Sequence, residues 1–162
     1  MYRVAIITAS DKGAAGQRVD LSGPAIQEMC AGFAEVSYYA VLADEREALA
    51  DAMRKICDED LADLIFTTGG TGFSVRDITP EATRDVIERE TPGIPEAMRA
   101  ESMRITPKGC LSRSVAGIRR RSLIITLPGS KKASAENILA VIDPVAHGLD
   151  MLYSEGSADC AK

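Results

Sequence analysis

The 162-residue chain is 46% hydrophobic and carries a formal net charge of −5, which is enough for one filled core and too little for two ordinary domains. The acidic balance argues against a nucleic-acid partner while leaving room for a small phosphate ligand in a locally basic pocket. No apolar run approaches the roughly 20 residues of a membrane-crossing helix, and residues 2–8 are too short for a signal-peptide core, so the expected setting is cytoplasmic with no membrane partner.

Residues 2–8, YRVAIIT, read as a first strand buried on both faces. It runs into Ser10, Asp11 and a loop containing Gly13 and Gly16. Ligands of α/β sheets bind outside the carboxyl ends of strands, so this loop is a candidate rim. Asp20, Ser22 and Gly23 lead into a predicted helix over residues 25–33, and helix capping accounts for Asp20 and Ser22 without any ligand. A second strand is predicted over residues 35–42. Asp44 then opens a helix over residues 46–58, in which Leu49, Met53, Ile56 and Cys57 share one face. It can be read as a plain N-cap or as a second acidic group on the ligand rim.

The apolar run 62–66, ADLIF, predicts a central parallel strand that feeds directly into TTGGTGFSVRDITPE, residues 67–81. Gly69, Gly70 and Gly72, with Thr68 and Thr71 between them, let backbone N–H groups converge on an anion unobstructed by side chains. The spacing fits neither GxxxxGK[ST] nor GxGxxG, so this is neither a Walker loop nor a dinucleotide fingerprint. Arg76 and Asp77 follow, and Thr79-Pro80-Glu81 reads as an N-cap, a first-position proline and a first-turn acid. Glycines that admit phosphate, followed by an arginine and a carboxylate, are the parts of an Mg²⁺-nucleotide site, although Asp77 is also an ordinary turn residue.

Helices are predicted over residues 80–90 and 96–104, then a strand pair over 111–117 and 121–127, with Arg119, Arg120 and Arg121 on a solvated hairpin. The second strand of that pair runs into Pro128-Gly129-Ser130-Lys131-Lys132 and a helix over 133–142. Lysines in a first helical turn oppose the macrodipole unless an anion sits there. Asp143-Pro144 is expected to break the chain before a last helix over 145–153, with residues 154–162 a polar, mobile tail. The four cysteines show no metal-binding spacing and read as reduced thiols, and His147, the one histidine, reads as a surface or packing residue. The fold expected is α/β: a single domain over residues 1–153, a mostly parallel sheet with helices on both faces, and a small β-hairpin.

TTGGTGFSVRDITPEAT resembles the signature of the molybdopterin adenylyltransferase family, the MogA/MoaB-like and gephyrin G-domain-like molybdopterin-binding domains. SDKGAAGQRVDLSG (10–23), LADE (42–45), LSRSVAGIR (111–119) and LPGSKKAS (127–134) agree with it, and the LSR stretch of the third implies Arg113 as a weaker pocket candidate. Val75 departs from the gephyrin-like pattern, which has proline there. The resemblance implies transfer of AMP from Mg²⁺-ATP to the terminal phosphate of molybdopterin, with pyrophosphate as the second product; a non-catalytic molybdopterin-binding or assembly module is the alternative. It implies Asp44 and Asp77 as catalytic, Mg²⁺-holding residues. Substrate contacts fall to Ser10, Asp11, Asp20, Ser22, Gly23, Thr68, Gly69, Gly70, Thr71, Gly72, Arg76, Pro128, Gly129, Ser130 and Lys131. It also implies a homotrimer and a downstream molybdenum-inserting partner.

Overall fold

The structure, a computed structural model, describes residues 1–154. Six strands form one sheet in the order β2-β1-β3-β6-β5-β4. β1 (Tyr2–Ala9), β2 (Ala34–Leu42), β3 (Leu64–Thr68) and β6 (Ser122–Leu127) are parallel, and β5 (Ala116–Arg119) and β4 (Arg89–Glu90) run antiparallel at one edge. All of β3 and β6 is buried, whereas edge strand β2 alternates. Continuous apolar runs therefore mark the centre of the sheet, as two-sided burial requires.

Helices cover both faces. Val4, Ile6, Leu64, Phe66, Leu123 and Ile125 pack with residues of α2 (Ser22–Cys30), α5 (Gly93–Ile105) and α6 (Lys131–Tyr153). The opposite pleat, with Ala5, Ile7, Ile65 and Ile124, packs with α3 (Arg46–Asp58) and Ala82 of α4 (Thr79–Arg84). Burying each large apolar side chain is worth about 1.5–3 kcal/mol, so the alternation of β1 and β3 between two clusters ties both helical layers to one sheet. The chain leaves β1 for β2 on one side and returns to β3 on the other. This reversal opens a crevice beyond the carboxyl ends of β1 and β3.

Several predicted boundaries move. The breaks expected at Asp143-Pro144 do not occur: α6 is continuous with Pro144 inside it. Ile138, Val141, Val145 and Leu149 form one buried seam on both sides of the proline, and that burial outweighs the single backbone hydrogen bond proline removes. The helix expected over 80–90 stops at Arg84, because Arg89 and Glu90 pair with Ile118 and Gly117 as an edge strand. The strand expected from Leu111 starts only at Ala116; Pro107–Leu111 is a 3₁₀ turn. α2 and α5 begin at Ser22 and Gly93, with Pro24 and Pro95 in first turns where a missing N–H is harmless. Arg119 is not a solvated hairpin charge, since it is mostly buried and paired with Asp58 at 2.9 Å. Cys30 and Cys57 are buried free thiols and Cys110 is an exposed one. Cys160, and the expected mobile tail beyond Ser154, lie outside the described residues.

At the end of the sheet away from the crevice, the buried carboxylate of Asp63 accepts from Arg3 N–H (2.7 Å), the Arg3 guanidinium (2.6 Å) and Tyr153 Oη (2.6 Å). Burial pushes its pKa up, but the Arg3 and Tyr153 hydrogen bonds outweigh it and hold the group below the ordinary carboxylate range. A depressed pKa gives stability that is present above the unfolded value near ~4 and is lost as pH falls through the native one. Asp63→Asn is expected to cost about 1.5–3 kcal/mol at pH 7, measured by urea unfolding, with the gap to wild type closing below about pH 4.

Candidate active site

The crevice holds a cleft of about 350 Å³ lined by residues from three strand ends: Thr8 and Ser10 at the end of β1, Thr68 and Gly69 at the end of β3, and Gly129, Ser130 and Lys131 after β6. Asp20 and Ser22 close one side. The three loops approach too closely for side chains. A Cβ on Gly69 would run into the carbonyl of Ala9, and one on Gly129 would stand 3.2 Å from Gly69 Cα. Gly69 and Gly70 also adopt φ of +94° and +65°, a conformation glycine reaches without steric cost.

Each loop is pinned by short polar contacts. Thr68 Oγ1 donates to Pro128 O (2.7 Å) and Ser22 Oγ to Gly129 O (2.9 Å). Asp20 accepts from Thr8 Oγ1 (2.6 Å), Tyr39 Oη (2.5 Å) and the N–H groups of Ser22 (2.9 Å) and Gly23 (3.2 Å). The capping reading of Asp20 therefore holds, and burial, which pushes its pKa up, is outweighed by these donors. Tyr39 is pushed up to about 12 by burial and by its bond to Asp20. Ser22 does not cap by its side chain; its hydroxyl ties α2 to the β6 turn.

Asp44 behaves differently. No side chain caps α3, whose N-cap is Glu45, so the capping role open to Asp44 is unfilled. Its Oδ2 accepts from Asp11 N–H (2.9 Å), while Asp44 N–H donates to Asp11 Oδ1 (3.0 Å). Asp77 Oδ2 accepts from Ser74 N–H (3.0 Å). Among the described residues each aspartate thus keeps one oxygen without a donor, and the two flank the glycine turn. A Cβ on Gly70 would lie 3.2 Å from Asp44 Oδ1, and one on Gly72 would lie 2.8 Å from Asp77 Oδ2. Burial raises the Asp44 pKa, and the charges of Asp11 and Asp77 add to it against the Asp11 N–H bond and Arg76.

Asp11 and Arg76 are used internally. Arg76 donates to both Asp11 oxygens (2.9 Å each) and to Glu45 (2.8 Å), which lowers the Asp11 pKa. Thr79, expected as an N-cap, makes no cap bond; its Oγ1 is buried without a partner behind Gly70. Thr71 is buried and its carbonyl accepts from Arg113 N–H (3.0 Å).

α6 begins at Lys131, one residue past Ser130, whose hydroxyl accepts from Ala133 N–H (3.1 Å) and keeps its own proton free to donate. No acidic residue stands in that first turn. Lys131 lines the cleft, whereas Lys132 points to solvent, 3.7 Å from Glu136. His147 is exposed and lies sixteen residues further along α6, about 24 Å away. Sequence reasoning passed over Thr8, Arg18, Val19 and Leu21 in the cleft wall. It also missed Tyr39 and Glu45, and it undervalued Arg113. Arg18 could have been noticed as a cation in the first glycine loop; nothing in the sequence marks Tyr39.

Residues 5–147 match the family described as probable molybdopterin binding domain. The molybdopterin adenylyltransferase of Helicobacter pylori strain 26695 is 43% identical over 152 residues, covering 92% of this chain and 86% of that protein. The gephyrin of Dictyostelium discoideum is 39% identical over 94% of this chain, which spans 23% of gephyrin. The crystal structure of the molybdopterin biosynthesis enzyme MoaB from Thermus thermophilus superposes with a TM-score of 0.89 at 46% identity, covering 94% of this chain and 96% of that one. A match of this extent, in both sequence and architecture, makes the chain a member of the molybdopterin binding domain family.

Proposed function

We propose that this protein is a molybdopterin adenylyltransferase that transfers AMP from ATP to the terminal phosphate of molybdopterin. The observation that carries the reading is the pair Asp44 and Asp77, on either side of the glycine turn, each with one carboxylate oxygen held by a backbone N–H and the other free. The naming of its relatives supports the same activity. In the reaction a molybdopterin phosphate oxygen forms a bond to the α-phosphorus of ATP, and the bond from that phosphorus to the bridging oxygen breaks with loss of pyrophosphate. No enzyme nucleophile is needed, since such transfers depend on alignment and charge neutralisation.

Among the described residues no three His, Cys, Asp or Glu side chains are grouped to hold a metal by themselves. Mg²⁺ suits one or two carboxylates completed by phosphate oxygens and water; burial first, then the charges of Asp11 and Asp77, raise Asp44, and a cation would offset both. Asp44 and Asp77 would hold Mg²⁺, which when bound neutralises phosphate charge. The chain's own part is positional. The turn at Gly69, Gly70 and Gly72 would let phosphates approach the backbone, with the Gly69 N–H itself already donating to Leu127 O (3.3 Å); Ser10 and Ser130 offer hydroxyls; Lys131 adds a positive charge at a helix N-terminus. Asp11 and Arg76 act indirectly, by holding Asp44 and the loop before Asp77. On the family resemblance we take the assembly to be a cytoplasmic homotrimer that passes its product to a molybdenum-inserting protein. No helix among the described residues is long and apolar enough to cross a membrane.

Asp77→Asn keeps the size of the side chain and its bond from Ser74 while removing the charge. Single-turnover adenylylation is expected to slow by at least about a hundredfold with molybdopterin affinity within a few-fold, the pattern of an interaction made mainly in the transition state. Asp44→Asn should slow the reaction less. Normal turnover of Asp77→Asn with intact binding would instead leave a binding or assembly module.

Asp44→Asn also makes a stability test. Because its native pKa is raised, the folded state binds the proton more readily than the unfolded chain, so its contribution to stability falls as pH rises through the native value. At pH 7 the variant should therefore melt at a higher temperature than wild type, a result opposite to the loss expected if Asp44 were a structural cap.

For the lysines, titration with a phosphorylated pterin should show Lys131→Ala binding about five- to tenfold more weakly, the effect shrinking in high salt. Lys132→Ala, paired only at the surface, should bind as wild type does.

A further inference from the structure

Outside the cleft, one side chain gathers more of the active-site loop than any residue within it. Arg113 lies on the segment between the 3₁₀ turn and β5, with its side chain 28% exposed. Its Nε donates to Gly72 O (2.7 Å), one terminal nitrogen donates to Asp77 O (2.7 Å) and the other pairs with Glu81, while its backbone N–H donates to Thr71 O (3.0 Å). Three points of the loop between β3 and α4 are thereby fixed by one residue about forty positions later in the chain.

That grip has a direction. The carbonyls of Gly72 and Asp77 bracket the turn that aims the Asp77 carboxylate, and within it Asp77 N–H donates to Ser74 O (2.9 Å) and Ser74 N–H to Asp77 Oδ2 (3.0 Å). Phe73 and Val75 are 71% and 98% exposed, so no packing of these side chains holds the loop. Its geometry rests on polar contacts at its ends: Arg76 reaching Asp11 and Glu45 on the rim side, and Arg113 from beneath. A planar guanidinium can bond two carbonyls and a carboxylate together; an ammonium at the same place cannot keep the fork.

We propose that Arg113 is a positioning residue for adenylyl transfer: it holds the turn between Gly72 and Asp77 so that the Asp77 carboxylate is already aimed when substrates arrive. This rests on the adenylyltransferase reading above for its catalytic consequence, but not for its structural one. Misplacing a reacting group by about 1 Å can cost on the order of a hundredfold in rate, so a loosened loop should lower kcat while leaving the anion contacts of the cleft in place.

The test uses Arg113→Lys, which keeps a positive charge beside Glu81, and Glu81→Gln, which weakens the ion pair and leaves the arginine and both carbonyls. Three quantities are read on the full chain: amide hydrogen exchange over residues 70–79 without substrate, single-turnover kcat with molybdopterin, ATP and Mg²⁺, and molybdopterin affinity. Arg113→Lys is expected to speed exchange of the Ser74, Asp77 and Thr79 amides about tenfold or more and to lower kcat by about ten- to a hundredfold. Its molybdopterin Kd should stay within about threefold. Glu81→Gln should keep kcat and loop exchange within about threefold of wild type. Wild-type exchange and kcat in Arg113→Lys would overturn the proposal, and so would kcat, affinity and melting temperature falling together, which would make Arg113 a stabilising residue only. If wild type itself released no pyrophosphate, the adenylyltransferase reading would fail, and exchange measured on the protein alone would still decide whether Arg113 orders the loop.

Discussion

Three strand ends meet so closely that one of their loops has no room for a Cβ and a second has barely enough. Gly69 passes against the Ala9 carbonyl and Gly129 passes against Gly69, which brings the ends of β1, β3 and β6 to one rim. A methyl group at Gly69 would push the β1 and β3 ends apart and would also force an unfavourable positive φ. The cleft between the three strand ends follows from this contact. The contact itself requires the strand order to reverse between β1 and β3, since only there do the connections leave in opposite directions and vacate the space above the strands.

Charge is then distributed in layers around that rim. Asp20 keeps its charge but has its oxygens occupied by four neutral donors, and Asp11 is paired with Arg76. Asp44 and Asp77 are left partly unpaired, and burial together with neighbouring charge raises the pKa of Asp44. On the other side, Lys131 stands on an uncompensated helix N-terminus. Under the proposed function, a cation would sit at the two aspartates with phosphate oxygens toward the lysine and the turn. The net charge of −5 is no obstacle, because the local field is set by what remains unpaired within a Debye length.

Much of this was legible in the chain. α3 has the predicted boundaries, and the buried runs of β1, β3 and β6 announced the sheet centre because two-sided burial leaves no polar alternation. The place of Asp77 beside the glycine turn could be read from the glycines alone. Asp44 could not be separated from a helix cap, since the choice depends on Asp11, thirty-three residues away, offering its N–H. Pro144 misled because proline costs a local hydrogen bond, whereas the seam through Ile138, Val145 and Leu149 that keeps α6 whole is a tertiary effect. Arg113 and Tyr39 act through contacts far apart in sequence, which leave no local pattern.

The most direct measurement of the central claim is product formation by the unmodified protein. Purified chain incubated with molybdopterin, ATP and Mg²⁺ should release pyrophosphate and convert molybdopterin to its adenylylated form in equal amounts, with no release when molybdopterin is left out. Molybdopterin bound tightly but recovered unchanged, with no pyrophosphate formed, would contradict the account and leave a binding module built on the same rim.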